Sequence, residues 1–222
     1  MSSTAAPSTD TGARYRYGVV FLLVFFAVVF IILTPDGAVS RAVAFALVDG
    51  ALLAVIVTSR EPSEVRRRRL VIGGCLAVLI TIGIAVGLIG HGAAFALIAL
   101  VTLILPVSLS RGLLRLVRER GVTLQAVAGA LAIYLLIGLA FASVIGFVAD
   151  IGPPGFYAET TKATASSNVY YSFTVMTTTG FGDLTAAHHV GRAMAVIEML
   201  IGQLYLVTVI GIVIGRRVGQ SG

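Results

Sequence analysis

Residues 171–183 read Tyr171-Ser172-Phe173-Thr174-Val175-Met176-Thr177-Thr178-Thr179-Gly180-Phe181-Gly182-Asp183. The first half has the composition of a short helix. The second is a threonine run followed by two glycines with one residue between them. Glycine takes left-handed backbone without a steric penalty, so Gly180 and Gly182 predict a chain whose hand alternates there. The stretch lies between two long apolar runs, Leu124 to Val148 and Val190 to Ile214. A polar segment so placed is either an external turn or irregular backbone entering a membrane. The second is tolerated only where the backbone is buried in protein or lines a water-filled cavity.

Composition decides the surroundings. Of 222 residues, 58% are apolar and 12% charged, and the mean hydropathy is +1.01, outside the range of soluble domains. The chain therefore reads as an all-α membrane protein. Six spans follow from the apolar runs: Tyr17 to Leu33, Ala42 to Thr58, Leu70 to Ile89, Ala93 to Leu109, Leu124 to Val148 and Val190 to Ile214. At 1.5 Å per residue the shorter ones are near the minimum for about 30 Å of hydrocarbon. Residues 1–13, rich in Ser, Thr and Ala, read as a disordered tail. The first apolar run follows Arg14 and Arg16 as a signal peptide would, but it lacks a small-residue cleavage site and more spans follow, so it reads as a retained helix. The lone Cys75 lies in an apolar run, which makes it a small core residue rather than half of a disulfide.

Charge orients the spans. With six crossings, 13 of the 16 basic residues share one side: Arg14, Arg16, Arg60, Arg66 to Arg69, Arg111, Arg115, Arg118, Arg120, Arg216 and Arg217. Only Arg41, Lys162 and Arg192 fall opposite. By the positive-inside rule the protein is a multi-pass protein of the cytoplasmic (plasma) membrane with both termini cytoplasmic. The net charge of +6 is then a topology signal that needs no nucleic-acid partner, and Arg66 to Arg69 face anionic lipid heads. The stretch at 171–183 enters from outside.

The quoted stretch resembles the pore helix and selectivity filter of the potassium-channel superfamily, of the bacterial six-transmembrane type with a single pore loop. The family's five filter positions fall on Thr178, Thr179, Gly180, Phe181 and Gly182, with Asp183 at the outer mouth. The resemblance covers roughly Leu124 to Arg217. It implies a re-entrant pore helix and extended filter whose backbone carbonyls replace the hydration shell of K⁺, in a four-fold homotetramer embedded in the lipid bilayer. It implies passive K⁺ conduction with no enzyme activity and no cofactor beyond the transported ion. Tyr170, Tyr171, Thr174 and Thr177 become pore-helix supports. Gly202 becomes an inner-helix hinge, or else a small residue for close packing, and Gln203, Leu206 and Ile210 line the cavity. The corresponding organisation is a four-helix transmembrane domain over 14–110, an amphipathic cytoplasmic linker over 111–122, a pore domain over 123–217 and a tail over 218–222. The fourth span lacks the periodic arginines of a voltage sensor, so steep voltage gating is not expected. Thr179 stands where the family commonly has Val, and Phe181 where it has Tyr, which removes a hydroxyl hydrogen bond. These departures leave open a weakly selective cation channel; a membrane scaffold and an ion-uptake subunit are the readings from other classes.

Two acids lie inside spans. Asp49 reads as a protonation-sensitive gating element or as an acid bonded to neighbouring helices. Glu198 is expected behind the filter, bonded to pore-helix hydroxyls such as Thr174 or Tyr171. Ser166, Ser167 or Asn168 is expected to cap the pore helix. His91, His188 and His189 read as solvated helix ends, without ligand spacing for a metal.

Overall fold

The computed structural model describes residues 17–58, 63–159 and 161–218. Seven helices follow one another: α1 Tyr17–Leu33, α2 Ala38–Thr58, α3 Ser63–Ala85, α4 His91–Arg120, α5 Leu124–Ile151, α6 Ala165–Met176 and α7 His189–Val218. Among the described residues no strand forms beyond a single antiparallel bridge between Tyr157 and Ala186. Five helices, α2, α3, α4, α5 and α7, are long and apolar enough to cross a bilayer. The expected first span, α1, is shorter at 17 residues, or about 25 Å. The expected tail over 1–13, Arg14, Arg16 and Arg60 lie outside the described residues, as do 219–222.

The apolar patterning explains the packing. On α1 the buried residues are Tyr17, Val20, Val24, Ala27, Val28 and Ile31, a helical stripe of the kind that seats one helix against others. That stripe joins Ala44, Val48 and Ala51 of α2, Leu105 and Leu109 of α4 and Ile133, Leu136 and Leu139 of α5 in one core, which reaches Val169 of α6. The N-terminal and C-terminal helices therefore share a core. At one end of it Tyr17 is wedged against α4 and α5, its hydroxyl at Gly112 and its ring 3.3 Å from where a Cβ on Gly129 would sit.

The sequence places a separate amphipathic helix over 111–122, and here the structure differs. Residues 111–120 continue α4 without a break, past Pro106, and the chain turns into α5 within three residues, with Gly121 at φ 71° and Thr123 capping α5. A proline breaks a helix by removing one hydrogen bond and crowding the carbonyl four residues back. In α4 the packing against α5 runs along the helix on both sides of Pro106 and holds it together. Likewise Arg66 to Arg69, expected in a loop before the third span, are already helical in the first turns of α3.

α5 and α6 approach through glycine. A Cβ on Gly146 would lie 2.7 Å from the Phe95 ring and 2.9 Å from Asn168 Nδ2, and one on Gly138 would lie 2.9 Å from Met176 and Phe173. Real Cβ contacts do not reach such distances. Overpacking of this kind costs about 1–3 kcal/mol, so Gly146→Ala should lower the thermal midpoint of the purified protein in detergent. Gly50, with nothing within 4 Å of its would-be Cβ, is the control. Gly50→Ala should leave stability unchanged or raise it by about 0.5–1 kcal/mol, and equal melting losses in the two variants would contradict this packing.

Candidate functional site

The site is built from α6, the segment after it and the middle of α7. Thr164, rather than any of Ser166, Ser167 and Asn168, caps α6. Its hydroxyl accepts from the Ser167 N–H at 3.2 Å, while Ser167 Oγ accepts from the Thr164 N–H at 2.8 Å. This reciprocal pair is a capping box with serine in the position usually held by Glu or Gln. Asn168 bonds away from the cap, where its Oδ1 accepts from the Tyr157 hydroxyl at 2.8 Å.

Asn168, Ser172 and Met176, spaced by four, form the buried face of α6. Ser172 is the residue that the sequence alone did not single out. Its hydroxyl donates to the Gly138 carbonyl of α5 at 2.6 Å and also lies against Glu198 Oε1 of α7. A pore-helix hydroxyl such as Thr174 or Tyr171 is the partner expected for Glu198, and the hydroxyl found is that of Ser172 on the same helix. Thr174 instead turns its hydroxyl back onto the Tyr171 carbonyl at 2.9 Å. One serine hydroxyl has one proton to give and lone pairs to receive another. Both contacts are satisfied when Glu198 carries its own proton and donates it to Ser172. Glu198 is fully buried and its second oxygen has no partner among the described residues, a setting in which an unpaired charge would be very costly. The spacing could have found Ser172, because it is the hydroxyl on the same helical face as Asn168 and Met176.

After Met176 the helix closes at Thr177, and the backbone then alternates in hand. Thr178 has φ 57°, Gly180 φ 48° and Gly182 φ 81°, while no other non-glycine residue described has positive φ. The two glycines are as the sequence predicts. Thr178 was not foreseen, since a side chain in this conformation costs about 1–2 kcal/mol. Its place is held by hydrogen bonds: Thr178 N–H to the Val175 carbonyl at 2.9 Å, and the Thr179 and Gly180 N–H groups to the Thr174 carbonyl at 2.9 and 3.1 Å. The side chains add a second layer. Thr177 Oγ1 donates to the Phe173 carbonyl at 2.7 Å and meets Thr179 Oγ1 at 2.9 Å, and Gln203 Nε2 reaches Thr178 Oγ1 at 3.5 Å.

The glycines divide into two kinds. No atom lies within 4 Å of a Cβ built on Gly180 or Gly182, so their role is conformational. A Cβ on Gly202 would stand 2.7 Å from the Met176 carbonyl oxygen, so this glycine lets α7 press against the base of the segment. That geometry corresponds to the close-packing alternative for Gly202.

The two adjacent tyrosines take different partners. Tyr171 is buried edge-on to Tyr157 and Phe156, with centroids 5.3 and 6.3 Å away. Tyr170 faces the other way, stacking on Phe181 at 6.4 Å with its plane tilted 8°. The outer limb is tied by backbone bonds from Ala158 N–H to Thr185 O and from Ala187 N–H to Phe156 O, at 2.9 and 3.0 Å. Glu159, which the sequence also did not single out, grips Thr185 twice, accepting from its N–H and its hydroxyl at 2.9 Å each. The bond from the Thr185 N–H, first of these, holds the Glu159 carboxyl below the usual carboxylate range.

Leu206 lies half-buried one turn beyond Gln203, and the side chain of Ile210 is outside the described residues. Asp49 is not part of this constellation; it is buried in α2, which packs on α1, α3 and α4. Among the described residues no cluster of three His, Cys, Asp or Glu could hold a metal ion.

Neither a curated protein nor a solved structure matches the chain. Residues 130–216, which take in most of α5, all of α6 and the alternating segment, and α7 almost to its end, match the family model described as "Ion channel", and this part of the chain is accordingly similar to the ion channels.

Proposed function

We propose that the chain is one subunit of a homotetrameric, potassium-selective channel of the cytoplasmic membrane, with both termini cytoplasmic and α1 as a sixth crossing. The observation that carries this reading is the alternation of backbone hand at Thr178, Gly180 and Gly182. Alternation is what turns successive carbonyls toward one side, and a ring of such carbonyls from several chains can replace the water around K⁺. One loop supplies one quarter of a four-fold ring, so the site is incomplete without its copies. Exposure supports the same conclusion: residues 177–183 and the Leu200, Leu204 and Val207 face of α7 are uncovered on the single chain. Irregular backbone at membrane depth needs protein or a water-filled lumen around it.

In the assembly Thr178 Oγ1 and the carbonyls of residues 178–182 hold the ion, and Gln203 and Leu206 line the cavity below. The α6 dipole places its negative end there. Phe181 favours a second reading, a weakly selective cation channel. Among the described residues its ring stacks on Tyr170, and it has no hydroxyl to anchor it. α4 has no arginine before Arg111, so conduction does not depend steeply on voltage.

Reconstituted protein under opposed K⁺ and Na⁺ gradients should show a reversal potential that follows K⁺, and Phe181→Tyr should hold that potential at least as close to the K⁺ limit. A reversal midway between the two ions identifies the weakly selective channel, and no current from tetrameric preparations returns the protein to a scaffold role. The Ser172–Glu198 contact gives a second test. If Glu198 is the donor, Glu198→Gln keeps a donor in place and should melt within about 1 kcal/mol of the native protein, whereas Glu198→Ala should lose roughly 2–4 kcal/mol to cavity and lost bond. Equal losses would mean that the native carboxyl accepts only. Glu159 gives the third. Because its folded-state carboxyl titrates below the unfolded value of about 4.3, its contribution is complete above that value and lost as external pH falls through the lower one. Current should therefore decline only at external pH below the ordinary Glu range, and Glu159→Gln should remove that limb of the pH profile while leaving current at neutral pH.

A further inference from the structure

α3 and α4 leave their connecting turn in contact, where Ile84 meets Ala94 and Ile98, and then diverge. Both pack on α2 further along while scarcely touching each other. At the far end this leaves a groove of about 550 Å³ lined by Leu52 and Ile56 of α2, Ser108 of α4, and Val65, Arg68, Arg69 and Ile72 of α3. The α3 residues are spaced i, i+3, i+4, i+7, one continuous stripe of the helix. Along it Val65 comes first, the guanidinium groups of Arg68 and Arg69 follow, and Ile72 continues the wall into the apolar part of the helix. Arg69 already has a partner in the fold; Arg68 is exposed on the wall.

A largely apolar slot with an exposed arginine on its wall matches one kind of molecule: an amphiphile with an anionic head and a long alkyl chain. We propose that this groove seats one anionic glycerophospholipid of the inner leaflet, its phosphate on Arg68 and one acyl chain running along Ile56, Ile72 and Ser108. The leaflet rests on the orientation given under the proposed function; the binding chemistry does not. A basic residue near a membrane surface contributes about 1 kcal/mol toward an anionic lipid. The wider consequence is that a lipid here wedges α3 away from α4, the helix that turns within three residues into α5.

The chain contains no tryptophan, so a single Ile72→Trp reports the groove. Full-length Ile72→Trp protein in mixed detergent micelles is titrated with dibrominated phosphatidylglycerol or dibrominated phosphatidylcholine, and Trp quenching is read. The expected result is saturable quenching by phosphatidylglycerol at low mole fraction, weakened about fivefold by Arg68→Gln and abolished by Ser108→Phe, which fills the slot without touching the arginines. Equal quenching by the two lipids, or indifference to either variant, overturns the site. If Ile72→Trp does not fold, Val65→Trp serves as the reporter. Micelles have no sides and no current is read, so a failure here leaves the channel reading standing, and a protein that binds lipid but never conducts fails that reading alone.

Discussion

A peptide group placed at the depth of a membrane must find its hydrogen-bond partner inside the protein, because the lipid offers none. In the channel reading proposed above, the segment after α6 is where that demand falls on backbone that has left the helix. Its resolution depends on the last carbonyls of a short helix: Val175 O accepts from the Thr178 N–H, and Thr174 O accepts from the next two N–H groups of the alternating segment. The left-handed Thr178, the threonine hydroxyl layer and the contact with Gln203 all depend on the chain leaving the helix at that angle. What holds Thr174 is in turn the buried side of α6, fixed to α5 and α7 through Ser172, Gly138 and Glu198.

The same helix is positioned by absences of side chain. Gly138, Gly146 and Gly202 let α5 and α7 come close to α6, and small residues at helix crossings are the usual means of packing in lipid, where hydrophobicity supplies no preference between helix and solvent. A methyl group at Gly202 would press on the carbonyl of Met176, two residues before the first left-handed position. At Gly138 and Gly146 the close neighbours are side chains, Met176, Phe173, Phe95 and Asn168, and at Gly202 both the side chain and the carbonyl of Met176 lie against the helix. The outer end is tied separately, by the Tyr157–Ala186 bridge and the Glu159–Thr185 pair.

Much of this could be read from residue order, and the misses have physical reasons. The two glycines at 180 and 182 announced the change of hand because their freedom is a local property. Thr178 could not be foreseen, since its conformation is imposed by bonds from α6 against its own preference. Glu198 was recognisable as a lone acid in an apolar helix, but its partner required knowing which face of α6 is buried. Thr164 was passed over for serines closer to the apolar run, because a capping box built from Thr and Ser lacks the usual Glu or Gln. The unbroken continuation of α4 to Arg120 went against the change from apolar to basic residues at Arg111. The packing that decides it comes from α5, which residue order along α4 does not reveal.

The core has a consequence for the order in which the chain is made. α1 is synthesised well before α5, yet its buried stripe is completed by α5, and the Gly18 N–H finds its acceptor in the side chain of Gln125, 107 residues later. At a synthesis rate of about 5–20 residues per second, α1 waits roughly 5–20 s for that partner. Apart from Tyr17, every residue of α1 is aliphatic, phenylalanine or glycine, so the helix is at home in lipid on all its faces during the wait. α2, which has the buried Arg41 and Asp49, lacks that freedom. It gains most from having α1 already in place beside it.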